Sequence, residues 1–310
     1  MKLLVTGAHG LLGRTLLETD WGADAELVGC GRRPGAVGGR ECRVVDLTEP
    51  GAVRELISRE RPDRVIHTAA ETNVDLCETD PAPARRINVD AVANLVTACA
   101  ASGCGLVQLS TDYVFDGAAG PYSEEDETHP LSHYGRMKLA SEALVLEGGG
   151  PGLVLRTLWL YGHRRGARPN LVTWPLAALA RGETVRVVAD QWGNPTPVAD
   201  LARAAVELCV RGATGCFHVG GASFMTREEL VRRTAAFFQL DCGRLETVTT
   251  AEAGQAAARP LRSGLRTERL EAELGWAPAD LESGLERMAS AEPFRRDFAN
   301  LVDLGEMPRR

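Results

Sequence analysis

The chain has 310 residues, 44% of them hydrophobic and 25% charged, the make-up of a globular protein long enough to bury a large core in one domain or two lobes. Its net charge of -7 argues against a nucleic-acid partner. The opening Leu3-Leu4-Val5 is too short for a signal or spanning segment, so a cytoplasmic protein with no membrane partner is expected.

Residues 2–6 read as a short buried strand, followed at once by Gly7-Ala8-His9-Gly10-Leu11-Leu12-Gly13 and a helical run to about Glu18. A strand, a GxxGxxG turn and a helix N-terminus in that order are what a dinucleotide pyrophosphate requires. Glycines give the tight turn and close backbone approach, and helix N–H groups face the phosphates. Gly7, His9, Gly10, Leu11, Leu12 and Gly13 are therefore candidate cofactor contacts.

Ala25 to Cys30 reads as a second strand. About 20 residues past the last motif glycine, the fingerprint places an acid for the ribose 2′-hydroxyl. This chain has Arg32 and Arg33 there, which suit a 2′-phosphate and hence NADPH over NADH; the bland alternative is a solvated loop. A strand near 42–45 ends in Asp46-Leu47, where an adenine edge would be met. A helix is expected over Gly51 to Glu60, then a strand over Arg64 to Thr68 closing in Ala69-Ala70, small enough for a dinucleotide to cross. Pro83 to Ala101 shows helical apolar spacing at Ile87, Ala91, Leu95 and Ala98. The alternation predicts an α/β, doubly wound parallel sheet, a Rossmann fold.

The strand Gly105 to Ser110 ends in Thr111-Asp112-Tyr113, and ligands of such sheets sit at the carboxyl ends of strands. An acidic loop then leads to His133-Tyr134-Gly135-Arg136-Met137-Lys138. Of 35 Lys and Arg only Lys2 and Lys138 are lysines, and there are only 4 tyrosines, yet Tyr134 and Lys138 sit four residues apart on one helix face. An ammonium ~4 Å from a phenolate, at an effective dielectric of about 20, gains about 4 kcal/mol, roughly three pKa units. That would bring Tyr134 toward use as a general acid. An incidental pair on a solvated helix is the bland alternative.

Leu153 to Leu158 is a further strand, followed by Trp159 and an arginine-rich loop from His163 to Asn170. Later elements are a helix at 175–180, a strand at 184–188, a helix at 198–210, a strand at 216–219 and helices at 226–239 and 266–274. Residues 1–162 are expected to form mainly the dinucleotide domain and 163–310 mainly a smaller substrate lobe, with segments near 184–219 returning to the first. The 8 cysteines show no CxxC and no His/Cys ligand spacing, so no metal site is expected.

The GxxGxxG turn and the Tyr-x-x-x-Lys pair resemble an extended short-chain dehydrogenase/reductase. Ser110-Thr-Asp-Tyr-Val-Phe-Asp-Gly117, Pro130-Leu-Ser-His-Tyr-Gly-Arg-Met-Lys138, Arg156-Thr-Leu-Trp-Leu-Tyr161, Asp190-Gln-Trp-Gly-Asn-Pro-Thr196 and Arg259-Pro260 narrow the resemblance to the dTDP-4-dehydrorhamnose reductase family. The resemblance implies NADPH-dependent reduction of the 4-keto group of a dTDP-4-keto-6-deoxy sugar, with NADH as an alternative donor. It implies that Thr111 holds the carbonyl oxygen, that Tyr134 delivers the proton, and that Lys138 lowers the phenol's pKa and bonds the nicotinamide ribose. It also implies sugar contacts at Thr72, Asp112, Tyr113 and Trp159, a nucleotide contact at Asn170, and diphosphate ligands at Arg259 and Arg262. His133 is read as a loop cap. Some relatives form metal-linked dimers; those ligands find no match here, which leaves a homodimer open and carries no metal over.

The strongest rival is non-catalytic. Gly29-Cys-Gly-Arg-Arg33, the Tyr113-Val-Phe-Asp-Gly117 block and Gly215-Cys-Phe-His218 also resemble the NADP-binding regulatory subunit of methionine adenosyltransferase, with Thr111 and Trp159 tilting toward the reductase. A nucleotide-sugar epimerase is a further alternative. A 4,6-dehydratase would need a second acid where Tyr113 stands.

Overall fold

The computed structural model describes residues 1–301; the expected second lobe continues to residue 310, and residues 302–310 lie outside the described residues. Seven parallel strands form the main sheet: β1 (Lys2–Thr6), β2 (Glu26–Gly31), β3 (Arg43–Val44), β4 (Arg64–His67), β5 (Gly105–Thr111), β6 (Gly152–Thr157) and β7 (Gly215–Val219). Their spatial order is β7-β6-β5-β4-β1-β2-β3, so the sheet grows outward in both directions from the β1/β4 pair. That reversal opens a crevice at the carboxyl ends of β1 and β4, where such folds take their ligands.

Alternation along β1 explains the two layers. Leu3 and Val5 face α1 (Leu11–Glu18) and α5 (Val198–Val210), burying Leu12, Leu16, Leu201 and Leu208. Leu4 faces α2 (Pro50–Glu60) and α3 (Ala91–Ser102), burying Leu56, Ile57, Val92 and Leu95. Fully burying each such side chain contributes roughly 1.5–3 kcal/mol, so the central strands form a rigid platform.

The expected helix over Pro83 to Ala101 is divided. Pro81–Arg85 is α-helical, Arg86–Asp90 is a π turn, and α3 follows. The strand Val185–Val188 pairs with Leu245–Val248 apart from the main sheet, whereas β7 forms its edge beside β6. The sequence pattern missed the helices Leu281–Ser290 and Glu292–Phe298. They pack Leu285, Phe294 and Phe298 against Tyr161 and Phe238 into a second core. Among the described residues no helix is long and apolar enough to cross a membrane.

Candidate active site

A cavity of about 1320 Å³ runs along the strand ends, and both halves of the expected site line it. At one end, Gly7 has φ +67°, and a Cβ there would stand 2.7 Å from Thr68 Oγ1 and 2.8 Å from the Ala69 nitrogen. A Cβ on Gly13 would come within 2.3 Å of the Gly7 carbonyl oxygen. The turn is thus pressed against β4 and α1 so closely that only backbone fits, the cradle a pyrophosphate needs. Gly7, His9, Gly10, Leu11 and Leu12 face the cavity. Gly13 does not line it; its part is the packing of α1 on the turn.

Arg32, Arg33, Asp46 and Leu47 border the same end. His9 lies beside them, its pKa lowered by burial and by Arg14 and Arg33. Asp46 accepts from the Thr48 N–H at 2.9 Å and from its hydroxyl at 2.8 Å, which hold its carboxyl below the usual range. Ala69, Ala70 and Thr72 continue the wall after β4.

At the other end β5 delivers Thr111 as the cap of a short turn, its Oγ1 accepting from the Tyr113 N–H at 3.2 Å. Helix α4 (His133–Glu147) is capped by Ser132, which accepts from the Gly135 N–H at 3.2 Å. A Cβ on Gly135 would stand 2.2 Å from the Tyr113 carbonyl oxygen, so glycine lets the Tyr134 helix lie against the Thr111–Tyr113 turn. The Tyr113 and Tyr134 rings meet edge to face at 5.7 Å.

The electrostatics differ from the expectation. Burial pushes the Tyr134 phenol up, helped by Asp112 and Tyr113, while the Thr111 hydroxyl works the other way. The expected downward pull from Lys138 is not what sets the phenol here. Lys138 Nζ donates to the Leu109 carbonyl, and burial brings its own pKa down to about 8 against an upward pull from Glu142. Asp112 is raised to about 6 by burial, against hydrogen bonds from Ser263 and Thr111 and the field of Arg227. Both its oxygens are taken, Oδ1 by Thr111 Oγ1 at 3.0 Å and Oδ2 by Ser263 Oγ, so Asp112 borders the cavity with its carboxylate already committed.

Trp159 lines the cavity with φ +41°, a left-handed conformation that costs a non-glycine residue about 1–2 kcal/mol. Asn170 also reaches it, yet its Oδ1 accepts from the Thr173 and Val172 N–H groups and its Nδ2 donates to the Gly162 carbonyl at 2.7 Å. Arg259 pairs with Asp75 at 2.9 Å and lies 5.9 Å from the Tyr113 ring centroid, with its buried Nη1 lacking a partner. Arg262 does not join it: that guanidinium donates to the Gly120 carbonyl and stacks on Trp192 and Phe224, outside the cavity lining. His133 is half-buried at the start of α4 beside Glu78, also outside the lining.

Sequence reasoning missed three residues. Arg227 opens α6 (Arg227–Phe237), reaches into the cavity and stacks 5.2 Å from the Trp159 ring centroid, its buried Nε unpaired. His67 ends β4 with Nδ1 2.8 Å from Thr6 Oγ1 and Nε2 unpaired; burial, then Lys138, lowers its pKa to about 3. Ser263 is the third. Among the described residues no cluster of three or more His, Cys, Asp or Glu could hold a metal ion.

Comparison with known proteins identifies the family. A family model described as RmlD substrate binding domain matches residues 1–293. The dTDP-4-dehydrorhamnose reductase of Streptomyces griseus is 37% identical over 290 residues, 91% of this chain and 88% of that protein. Methionine adenosyltransferase 2 subunit beta of Bos taurus is 34% identical over 277 residues, 87% of this chain and 81% of that protein. The crystal structure of dTDP-4-dehydrorhamnose reductase from Bacillus anthracis str. Ames in complex with NADP is similar with a TM-score of 0.84 at 30% identity, covering 93% of this chain and 98% of that chain. With the family model spanning nearly the whole sequence, the chain belongs to the RmlD substrate binding domain family, the dTDP-4-dehydrorhamnose reductase family of extended short-chain dehydrogenases/reductases.

Proposed function

We propose that this protein is an NADPH-dependent reductase of the 4-keto group of a dTDP-4-keto-6-deoxy sugar. The observation that carries the reading is the convergence of Thr111, Tyr134 and Lys138 on one wall of the cavity whose far end is the Gly7–Leu12 turn with Arg32 and Arg33. That turn offers backbone N–H groups to a pyrophosphate, and the two guanidinium groups suit a 2′-phosphate. When bound, the nicotinamide supplies a hydride to the keto carbon. Tyr134 then gives its phenolic proton to the oxygen; its upward-shifted pKa keeps that proton in place until negative charge develops there. Lys138 binds the nicotinamide ribose, and Trp159, Tyr113 and Thr72 bound the sugar space.

Under this reading residues 1–162 mainly hold the cofactor and 163–310 mainly the sugar. The protein works in the cytoplasm, and a homodimer is the assembly to look for by light scattering.

The test is the loss of NADPH absorbance on mixing with a dTDP-4-keto-6-deoxy sugar. Tight NADP binding with no loss would favour the regulatory-subunit reading, which the relative from Bos taurus keeps in view. Bound NAD that resists exchange would point to an epimerase.

A further inference from the structure

We propose that Asp112 sets the direction of the Thr111 hydrogen bond, and thereby decides whether Thr111 can donate to a substrate carbonyl oxygen; the proposal rests on the ketoreductase reading. A threonine hydroxyl has one hydrogen and two acceptor sites. Thr111 Oγ1 accepts from the Tyr113 N–H at 3.2 Å and gives its hydrogen to Asp112 Oδ1 at 3.0 Å. An ionised carboxylate only accepts, so in that state Thr111 has no hydrogen to offer the cavity. Once Asp112 carries a proton, it donates to Thr111 Oγ1 and the Thr111 hydrogen is released toward a carbonyl oxygen beside Tyr134.

The surroundings of Asp112 suit such a switch. The residue is 2% exposed, and its second oxygen accepts from Ser263 Oγ, a hydroxyl that tolerates either protonation state. The charged and titratable groups facing it are Arg227 from α6, Tyr134 from α4 and Tyr113 on its own turn, with Arg259 beyond the Tyr113 ring. Arg227 acts through space and Ser263 and Thr111 through hydrogen bonds; burial outweighs them and brings the carboxyl up to about 6. The change of state therefore falls within the range of an ordinary assay.

The test measures kcat and KM for NADPH oxidation with a dTDP-4-keto-6-deoxy sugar from about pH 5 to about pH 8. The unaltered protein should lose about tenfold in kcat between pH 5 and pH 7, through a limb near 6. In Asp112→Asn, Ser263 holds the amide oxygen, so the Nδ2 group faces Thr111 and donates at every pH. The limb should disappear, and kcat at pH 7 should rise. Ser263→Ala removes a donor to the carboxylate, which moves the limb to higher pH with KM little changed; it decides the matter if Asp112→Asn fails to fold. A limb that stays in Asp112→Asn, a limb unmoved in Ser263→Ala, or a raised KM with the limb intact overturns the proposal, the last by making Asp112 a direct sugar contact. If the unaltered protein turns over no keto sugar at any pH, the ketoreductase reading fails and takes the proposal with it.

Discussion

Consecutive hydroxyls at the end of β5 serve two buried carboxylates held in different ways. Ser110 donates to Glu142, whose oxygens also take Arg156 Nε at 3.0 Å and Nη2 at 2.7 Å. Arg156 in turn lies 3.4 Å from His218 Nε2 and 5.2 Å from the Phe115 ring centroid. Thr111 donates to Asp112, which is answered by a second hydroxyl and by a guanidinium acting through space. A guanidinium bonded to both carboxylate oxygens fixes the acid's position and orientation, whereas hydroxyl neighbours accept either protonation state. Glu142 therefore fastens α4, with Tyr134 and Lys138, to β6, while Asp112, held by hydroxyls, borders the cavity. Two buried acids on neighbouring elements are thus held in different ways, and under the proposed switch only Asp112 changes state.

The comparison breaks most visibly at the anchor. Glu142→Ala leaves the Arg156 guanidinium buried without its acid, which should cost about 3–5 kcal/mol of stability, read as a fall in Tm. A variant that melts like its parent would show that the pair anchors nothing. Tyr134→Phe works on the other side. With only the proton donor gone, kcat should drop on the order of 10²- to 10⁴-fold while NADPH affinity and Tm hold; an unchanged kcat would remove Tyr134 from its role.

The two halves of the cavity also differ in how far the sequence revealed them. The glycine-turn end was readable because its motif is local: strand, glycine turn and helix follow within Lys2 to Glu18, and Gly13 packs on the Gly7 carbonyl within the same motif, whereas the close approach of Gly7 to Thr68 and Ala69 is made only in the fold. Thr111, Tyr134 and Lys138 were readable as spaced motifs. Ser263 was not, because it meets Asp112 from 151 residues away, and a lone serine between arginine and glycine carries no local sign of a partner. Arg227 was hidden likewise. Its helix start was visible, but the turn of its side chain onto Trp159 depends on the pairing of Met225–Thr226 with Trp192–Gly193. The helices Leu281–Ser290 and Glu292–Phe298 were missed although Asp280 caps the first by accepting from the Ser283 N–H at 2.8 Å.

Smaller effects sharpen the distinction between groups that bind and groups that react. Thr111→Ala should lower kcat by roughly one to three orders of magnitude, the range for removing one oxyanion donor, with NADPH affinity unchanged. No effect would place the carbonyl elsewhere. Replacing Arg32 and Arg33 by Ala should weaken NADPH by roughly one to two orders of magnitude and leave NADH nearly untouched, since charge-assisted hydrogen bonds to the 2′-phosphate are what is lost. Equal weakening of both cofactors would return the pair to a solvated loop.

The smallest effect is a crossing of two pH dependences at Lys138. Burial lowers its pKa from 10.5 to about 8, with Glu142 pulling it back up. Between those values the unfolded chain keeps the proton that the folded chain has shed. Stability from this group therefore rises with pH across that window and is flat below it. Ribose binding moves the other way, because the ammonium is lost as pH climbs through about 8, so the KM for NADPH should rise there. Tm and cofactor affinity should diverge above pH 8 as far as this lysine governs them, and Glu142→Gln, which removes the upward pull, should move the KM rise to lower pH. A KM limb unmoved in that variant would mean that another group titrates, and that the anchoring acid has no hold on the chemistry of its own helix.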